Sequence, residues 1–329
     1  MLPPTPVRKR DHASSASPDA MSRPVTWRGV LLSEDESAGS AFSRTGRLLL
    51  TQFRENQPGV TAGNDPEYLH QMRVTVRRLR AVLSLYSPLL GKRERQAAVR
   101  DVKWLADALG LARDSDVFVS EIWPPLRAVL GEGPLTDVLT AEWLMQQHRN
   151  ARVARRALAS RRCQRLIDRL GRCFAPRSLR AGADLNHAAS WDQPARRLVR
   201  RQLKQYADAL RGRGRRLDEL DDDSLHRLRI RIKKLRYAID AVSTLFDQAM
   251  VTTMRHTLSR LQDALGAIND LAVAERKISA VLTNKRCIDI AQLLEQFSVW
   301  RTLRSISLKR RLQTAWHDYR ECRHASPFG

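Results

Sequence analysis

The chain has 329 residues, 43% of them hydrophobic and 28% charged, which suits a large globular core and excludes a wholly disordered protein. Its 58 Lys and Arg residues outnumber 35 Asp and Glu residues, and the net charge of +23 favours a polyanionic partner: nucleic acid, an anionic membrane or an inorganic polymer. No apolar run reaches the ~20 residues of a membrane span, no secretory signal is visible, and the four cysteines lack metal-binding or CxxC spacing, so we expect a cytoplasmic protein.

The N-terminal region is predicted from its prolines and its apolar spacing. Residues 1–40 hold five prolines without periodicity, which predicts a disordered leader. A first helix follows and ends at the Gln-Pro-Gly of 57–59. The Asp-Pro-Glu of 65–67 is typical of a helix start, with Asp as N-cap and Pro in the first turn, and this helix runs to about Ser87.

The rest of the first half is predicted to hold three further helices. We place them at 92–109, closed by Gly110, from Asp114 or Asp116 to the prolines at 124–125, and at about 135–173. Residues 171–194 contain two Gly and two Pro without an apolar period, which predicts the boundary between two halves.

The second half repeats this order of elements. We predict a basic helix at 195–211, a helix that starts at the aspartates 221–223, one that ends at Gly266, one from about Asp270, and a last helix near 289–320.

One helix motif occurs twice, as HQMRVTVRRLRAVLSLY from His70 and as HRLRIRIKKLRYAIDAV from His226. On a helix, each copy places four basic or histidine side chains within an arc of roughly 80°, apart from an apolar face. These side chains are His70, Arg73, Arg77 and Arg80 in the first copy and His226, Arg229, Lys233 and Arg236 in the second.

The repeat extends beyond the motif. At the same offset of 156 positions, LADALG at 105–110 matches LQDALG at 261–266, and Asp114 matches Asp270. The register holds without a gap, which predicts two homologous helical bundles of about four to five helices each, related by a pseudo-two-fold axis.

The basic faces of the two motif helices indicate anion binding. No acidic residue lies between Tyr68 and Gly91 to pair with the four arginines there. A solvated face is the usual outcome for surface charge, but a row of like charges is unfavourable without an anion. No aromatic row alternates with the basic rows and no phosphate-binding glycine loop is present, which disfavours stacked bases and nucleotide hydrolysis.

Several repeated side chains have two interpretations. His70 and His226 either contact an anion or stabilise their helix starts. Arg78 and Lys234 lie 80–100° away from the stripe and either extend the basic surface or pair with carboxylates. Asp114 and Asp270 are predicted to be helix caps rather than catalytic groups.

Three further basic rows have helical spacing and are weaker candidates, each more typical of exposed surface than of a site. They are Arg149, Arg152 and Arg156; Arg197, Arg201 and Lys204; and Arg301, Arg304 and Arg311.

The duplicated helices, each followed by an ALG sequence, resemble the CHAD domain family. The resemblance covers about 41–322 and implies an all-α fold of two bundles (41–174 and 194–322, with a linker at 175–193) and a basic groove or pore at their junction. It also implies binding of inorganic polyphosphate, and location on polyphosphate granules. The motif positions that carry this expectation are His70, Arg73, Arg77, Arg78 and Arg80, and His226, Arg229, Lys233, Lys234 and Arg236.

We therefore expect a polyphosphate-binding protein that is not an enzyme and needs no metal or cofactor. Many relatives carry an N-terminal CYTH domain, and the 40-residue leader is too short for one, which predicts a stand-alone module. Two alternatives remain: a nucleic-acid-binding protein, and an enzyme that transfers phosphoryl groups, for which no clustered carboxylates are present to hold a divalent metal.

Overall fold

The fold is all α-helical across the described part of the chain. A computed structural model describes residues 23–63, 65–176, 188–213, 217–282 and 289–324. Within these ranges there are α-helices, short 3₁₀ turns and one π-helical turn, and there is no named β-strand. The all-α prediction is confirmed.

The helices follow one another with short connections. Their bounds are α1 Ala38–Ala62, α2 Pro66–Leu85, α3 Lys92–Val117, α4 Trp123–Leu130, α5 Pro134–Leu158, α6 Arg161–Cys173, α7 Ala188–Asp192, α8 Ala195–Arg213, α9 Asp222–Val242, α10 Gln248–Leu282 and α11 Asp289–His324. A π-helical turn, Phe118–Ile122, joins α3 to α4.

The segment before α1 is packed against the helices, which differs from the disordered leader expected over residues 1–40. The backbone N–H of Val25 donates to Asn56 Oδ1 at 3.0 Å, and the N–H of Leu32 donates to Thr244 Oγ1 at 2.9 Å. Val30 and Leu32 are buried. Contacts with both halves of the chain therefore order residues 23–37, whereas residues 1–22 lie outside the described part.

Two glycines that were predicted to end helices lie inside them. Helix α3 continues through Gly110, and α10 continues through Gly266 and Asp270. An interior glycine costs only about 1 kcal/mol relative to alanine, which the packing of a long helix outweighs. The predicted helix starts at Asp114 and Asp270 were therefore wrong, and the prolines at 124–125 open α4 rather than end a helix.

Helix α1 also runs past its predicted end at 57–59, since Pro58 lies inside it and Gly63 caps it in a left-handed conformation. The chain continues as helix because this last turn packs against α2. A Cβ on Gly59 would lie 2.2 Å from the Tyr68 ring, so glycine is what allows this close approach. Burial of Val60 and Tyr68 offsets the hydrogen bond that proline removes.

The long helix predicted at 135–173 is two helices. It breaks after α5 at residues 159–160, where Ser160 caps α6 by accepting a hydrogen bond from the N–H of Cys163 at 3.1 Å. The single-helix prediction was wrong because apolar spacing alone does not reveal a capping serine between two helical segments.

The hydrophobic core is continuous between the two halves. Helices α1, α2 and α3 pack in series, α8, α9 and α10 do the same, and α2 packs against α9. The main buried cluster accordingly includes Phe42 and Leu79 from the first half and Leu235 and Trp316 from the second. A smaller cluster joins α4, α5, α10 and α11 around Phe118, Trp123, Trp143, Ala274, Ile278 and Phe297.

Element boundaries in the two halves occur at the offset found in the sequence. Helices α2 and α9 begin at Pro66 and Asp222, and the 3₁₀ turns that follow begin at Ser87 and Ser243. Helices α3 and α10 begin at residues 92 and 248. Each pair is 156 positions apart, so the repeated sequence folds into repeated elements.

None of the described helices combines the length and the apolar character that crossing a lipid bilayer requires.

Candidate functional site

The two motif helices begin as the sequence predicts. Asp65 accepts a hydrogen bond from the N–H of Glu67 at 2.7 Å at the start of α2. Asp221 accepts one from the N–H of Ser224 at 2.8 Å at the start of α9. A carboxylate at this position stabilises the free N–H groups of the first turn, so both helix starts are confirmed.

Packing of α2 against α9 brings the two basic faces together. The apolar residues Met72 and Ile232 are completely buried, and basic residues of both helices, among them Arg77 and Lys233, line one cleft. There the Arg77 guanidinium donates to the Tyr237 hydroxyl at 3.2 Å. The motif copies therefore contribute to one shared surface rather than to two separate ones.

Arg73 extends from α2 onto α3. Its guanidinium donates to the carbonyls of Leu109 at 3.1 Å and Gly110 at 2.6 Å, and to Asp114 Oδ1 at 3.2 Å. Its side chain is only 11% exposed. Burial, followed by the charge of Arg77, lowers the pKa of Arg73 to about 10. The Gly110 carbonyl and the Asp114 carboxylate thus bind Arg73 along one continuous helix.

The second copy has a related arrangement at Asp270. Burial raises the pKa of this carboxyl, against the opposing effects of Asn269 and Arg229. Burial also lowers the pKa of Arg229, and Asp270 is the group that most offsets this effect. The predicted role of Asp114 and Asp270 as helix caps was wrong, because each lies within a helix and interacts with the arginine three positions after the motif histidine, Arg73 or Arg229.

A cleft of about 580 Å³ lies between α2, α3 and α9. No carboxylate side chain is among the described residues that line it, whereas seven cations are. These cations are Arg77, Arg80, Arg95, Arg100, Lys103, Lys233 and Lys234. We call this feature the cationic cleft.

The motif residues divide between the cationic cleft and its surroundings. Four of them line the cleft, whereas Arg78 lies over the Trp27 ring, 5.4 Å from its centroid. Arg236 donates to Ser259 Oγ at 3.4 Å and also lies outside the cleft lining. The helix contact therefore separates basic side chains that are neighbours in the sequence.

Both motif histidines lie outside the cleft lining. Burial lowers the pKa of His70, Glu67 opposes this effect, and Arg113 adds to it. His226 lies 3.4 Å from Asn269 Oδ1 through its Nδ1 atom and lines a separate cavity with three carboxylates.

Three of the cleft cations were missed in the sequence. Arg95, Arg100 and Lys103 lie on α3, within an arc of about 140° beside its buried face. The signal was available as a basic face on the helix after the motif. It was missed because the α10 counterparts, at the offset of 156, are Val251, His256 and Ser259. A search for repeated residues cannot find a cluster that occurs in one copy only.

The α10 side of the contact between α2 and α9 also differs from the α3 side in its acidic residues. Asp240 of α9 is buried and pairs with Arg255 of α10, with Nε to Oδ1 at 2.6 Å. The corresponding position on α2 is Ser84, which lines the cationic cleft and contacts the Tyr206 hydroxyl at 2.9 Å. At this pair of positions, the α10 side thus has an aspartate that neutralises an arginine, whereas the α3 side has an uncharged serine.

Lys233 is the most strongly perturbed cation of the cleft. Burial, followed by the charges of Arg229, Arg77 and Arg73, lowers the pKa of its ammonium to about 7, and Asp114 opposes this effect. A bound anion would favour the protonated form and offset the repulsion.

The weaker basic rows lie elsewhere. Arg149 pairs with Glu142 at 2.8 Å, and Arg301 pairs with Glu275. The row on α8 lines a broad, open surface that also includes Glu34 and Asp35. The members of the three rows that are exposed to solvent are Arg149, Arg152, Arg156, Arg197, Arg201, Lys204, Arg304 and Arg311.

Substitution of Arg73 is expected to change the stability of the fold more than it changes the affinity for anions. The variant Arg73→Lys should lower the free energy of unfolding by about 1–3 kcal/mol, because lysine cannot reproduce the forked contact with two carbonyls and a carboxylate. Urea unfolding followed by circular dichroism measures this loss. The exposed Arg80 provides the control, since Arg80→Lys should change stability by less than about 0.5 kcal/mol. Equal stabilities of the two variants would contradict the structural role.

Within the described residues, no group of His, Cys, Asp and Glu has the arrangement of a metal site.

Sequence and structure comparisons relate this chain to known proteins. The family model described as CHAD domain matches residues 45–279. Two uncharacterized proteins of Mycobacterium tuberculosis, Rv2226 and MT2285, are 31% and 30% identical over 176 residues, which is 53% of this chain. The matched region spans about a third (34%) of the length of those relatives.

Two solved structures are similar in fold. The crystal structure of the CHAD domain from the plant Ricinus communis has a TM-score of 0.73 and 27% identity, and the match covers 89% of this chain and 96% of that one. The structure of PptA from Streptomyces chartreusis has a TM-score of 0.58 and 17% identity, covering 87% and 99% of the two chains, and it supports the fold alone.

Proposed function

The chain belongs to the CHAD domain family, and from that premise we propose that it binds inorganic polyphosphate in the cationic cleft. The observation that carries this proposal is the convergence of seven cations from three helices on one cleft without a lining carboxylate. Polyphosphate carries roughly one charge per phosphoryl group, so neighbouring guanidinium and ammonium groups can bind successive groups along the polymer.

Among the described residues that line the cleft, none offers a surface on which bases could stack, which favours a polymer without bases. The aromatic residue of its lining, Tyr237, is buried and hydrogen-bonded to Arg77. Recognition of single-stranded nucleic acid commonly uses exposed aromatic rings on which bases stack. The cleft offers charge and hydrogen-bond donors, which is the chemistry that a chain of phosphoryl groups requires.

The two halves are proposed to be related by a pseudo-two-fold axis between α2 and α9, as the shared offset of their boundaries supports. The groove proposed from the sequence then corresponds to one side of this contact, where α3 adds Arg95, Arg100 and Lys103. Binding without catalysis, association with polyphosphate granules and a cytoplasmic location complete the proposal.

Competition at physiological salt tests the choice of polymer. Any protein of charge +23 binds nucleic acid weakly at low salt, so the measurement is made at about 150 mM salt. Labelled long-chain polyphosphate should remain bound when duplex DNA or RNA is added at equal phosphate concentration. Its displacement by either nucleic acid would instead identify a nucleic-acid-binding protein.

A further inference from the structure

Lys233 has an unusual position among the lysines of the cleft. It lies on α9 where the first motif copy has Arg77, and it lines the cationic cleft. Guanidinium groups of both motif helices act on it, namely Arg73 and Arg77 of α2 and Arg229 of α9, and Asp114 of α3 is the acidic group that opposes them. An amine in this cluster loses its proton more easily than one in water, because ammonium adds a further positive charge.

The other two lysines of the cleft have different surroundings. Lys103 is exposed, and its ammonium pairs with Asp107 at 2.5 Å. Lys234 lies over the Tyr206 ring, with Nζ 3.8 Å from the centroid, and an aromatic face favours a cation. Burial, followed by the charges of Arg80 and Arg231, also lowers the pKa of Lys234, but the larger lowering is that of Lys233. Lys233 therefore combines access to the cleft with the strongest tendency to be a neutral amine.

A neutral amine beside arginines is suited to attack an electrophile that carries a phosphoryl group. The lowered pKa of about 7 leaves a large share of Lys233 unprotonated at neutral pH, whereas an ordinary lysine is about 99.9% protonated there. Only the unprotonated amine is nucleophilic. The guanidinium groups can meanwhile hold the phosphoryl group of the reagent close to the amine.

We propose that Lys233 is a site of covalent acylation by acyl phosphates, which dock in the cationic cleft through their phosphoryl group. The Lys233 nitrogen attacks the carbonyl carbon, and a C–N bond forms. The bond between this carbon and the bridging oxygen breaks, and inorganic phosphate leaves with the electron pair. The nitrogen then gives its proton to solvent, and a neutral amide remains. The step requires no oxidant or reductant.

Acylation changes the cleft in two ways. The amide cannot become charged, and the acyl group fills space near Arg77 and Tyr237, which also line the cleft. Polyanion binding should consequently weaken. This inference rests on the proposed function in so far as the cleft accepts phosphoryl groups, and it adds a covalent means of control.

Peptide mass spectrometry of the full chain treated with acetyl phosphate tests the proposal. Lys204 is the reference, because it is exposed on α8 outside the cleft. We expect Lys233 to be acetylated at least about tenfold faster than Lys204 at about pH 7.5. A rate at Lys233 equal to or below that at Lys204 would overturn the proposal.

Two further measurements separate docking from simple reactivity. Acetic anhydride carries no phosphoryl group, so it should show a smaller preference for Lys233 than acetyl phosphate does; an equal preference would overturn the docking step. Long-chain polyphosphate should protect Lys233 and leave Lys204 unaffected. Selective acetylation in a chain that does not bind polyphosphate would contradict the proposed function alone, whereas polyphosphate binding without selective acetylation would contradict this inference alone.

Discussion

Reversing the charge of Arg80, Arg95 and Arg100 together is expected to raise the Kd for long-chain polyphosphate by at least about 100-fold at about 150 mM salt. Each arginine contributes a charge-assisted hydrogen bond worth about 1.5–3 kcal/mol, and each glutamate that replaces it repels the polymer. All three line the cationic cleft. Isothermal calorimetry or fluorescence anisotropy with a polymer of defined length measures the effect.

A matched triple variant on α8 serves as the control. Replacing Arg197, Arg201 and Lys204 with glutamate changes the net charge by the same amount, on a surface that already includes Glu34 and Asp35. We expect less than about a fivefold change in Kd, from long-range attraction alone. Both variants should keep their helical circular dichroism. Equal losses of affinity in the two variants would mean that overall charge, rather than the cleft, determines binding.

The affinity for polyphosphate is expected to rise by about tenfold as the pH falls from about 8.5 to about 7. The direction of this change in affinity follows from Lys233, whose pKa is lowered to about 7 by burial and neighbouring arginines. The polyanion binds the ammonium form, so binding takes up a proton above this pH and is weakened there. The phosphoryl groups within the polymer keep their charge over this range. Binding curves at several pH values in one salt concentration measure the effect.

Arginine substitutions identify the group responsible. Lys233→Arg should flatten the pH dependence and tighten binding at about pH 8.5, because arginine stays charged throughout this range. Lys234→Arg is the neighbouring control and should preserve most of the pH dependence. Burial and the charges of Arg80, Arg231 and Arg95 also lower the pKa of Lys234, but the larger lowering, to about 7, is that of Lys233. If the affinity of Lys233→Arg changed with pH as steeply as that of the parent protein, the proton taken up on binding would belong to another group.

The fold was predictable where local signals agreed with packing. The N-caps at Asp65 and Asp221 and the apolar faces of α2 and α9 follow directly from residue type and spacing. Helix ends were predicted less well, because glycine and proline have small local costs that long-range burial exceeds. Gly110 shows this most clearly, since α3 continues through it and its carbonyl accepts a hydrogen bond from Arg73 of another helix.

The candidate site was predictable as two basic helix faces but not as a cleft. Spacing alone assigned Arg73 and Arg77 to the same stripe, whereas the structure directs the first to α3 carbonyls and the second to the cleft. That difference depends on which helix lies beside each side chain. The periodicity of one helix carries no information about its neighbours in the fold. The role of Arg95 on α3 depends on tertiary packing in the same way.

The ordered segment before α1 has a consequence for how the molecule is made. Leu32 and Thr244 are 212 positions apart in the chain, yet their hydrogen bond holds the segment before α1 against the 3₁₀ turn that follows the second motif helix. During synthesis this contact cannot form until most of the polypeptide has left the ribosome, and contacts of such long sequence separation form slowly. Trp27, which covers Arg78, lies on the same segment. Residues 25–32 emerge early in synthesis and are thus among the last to reach their final place.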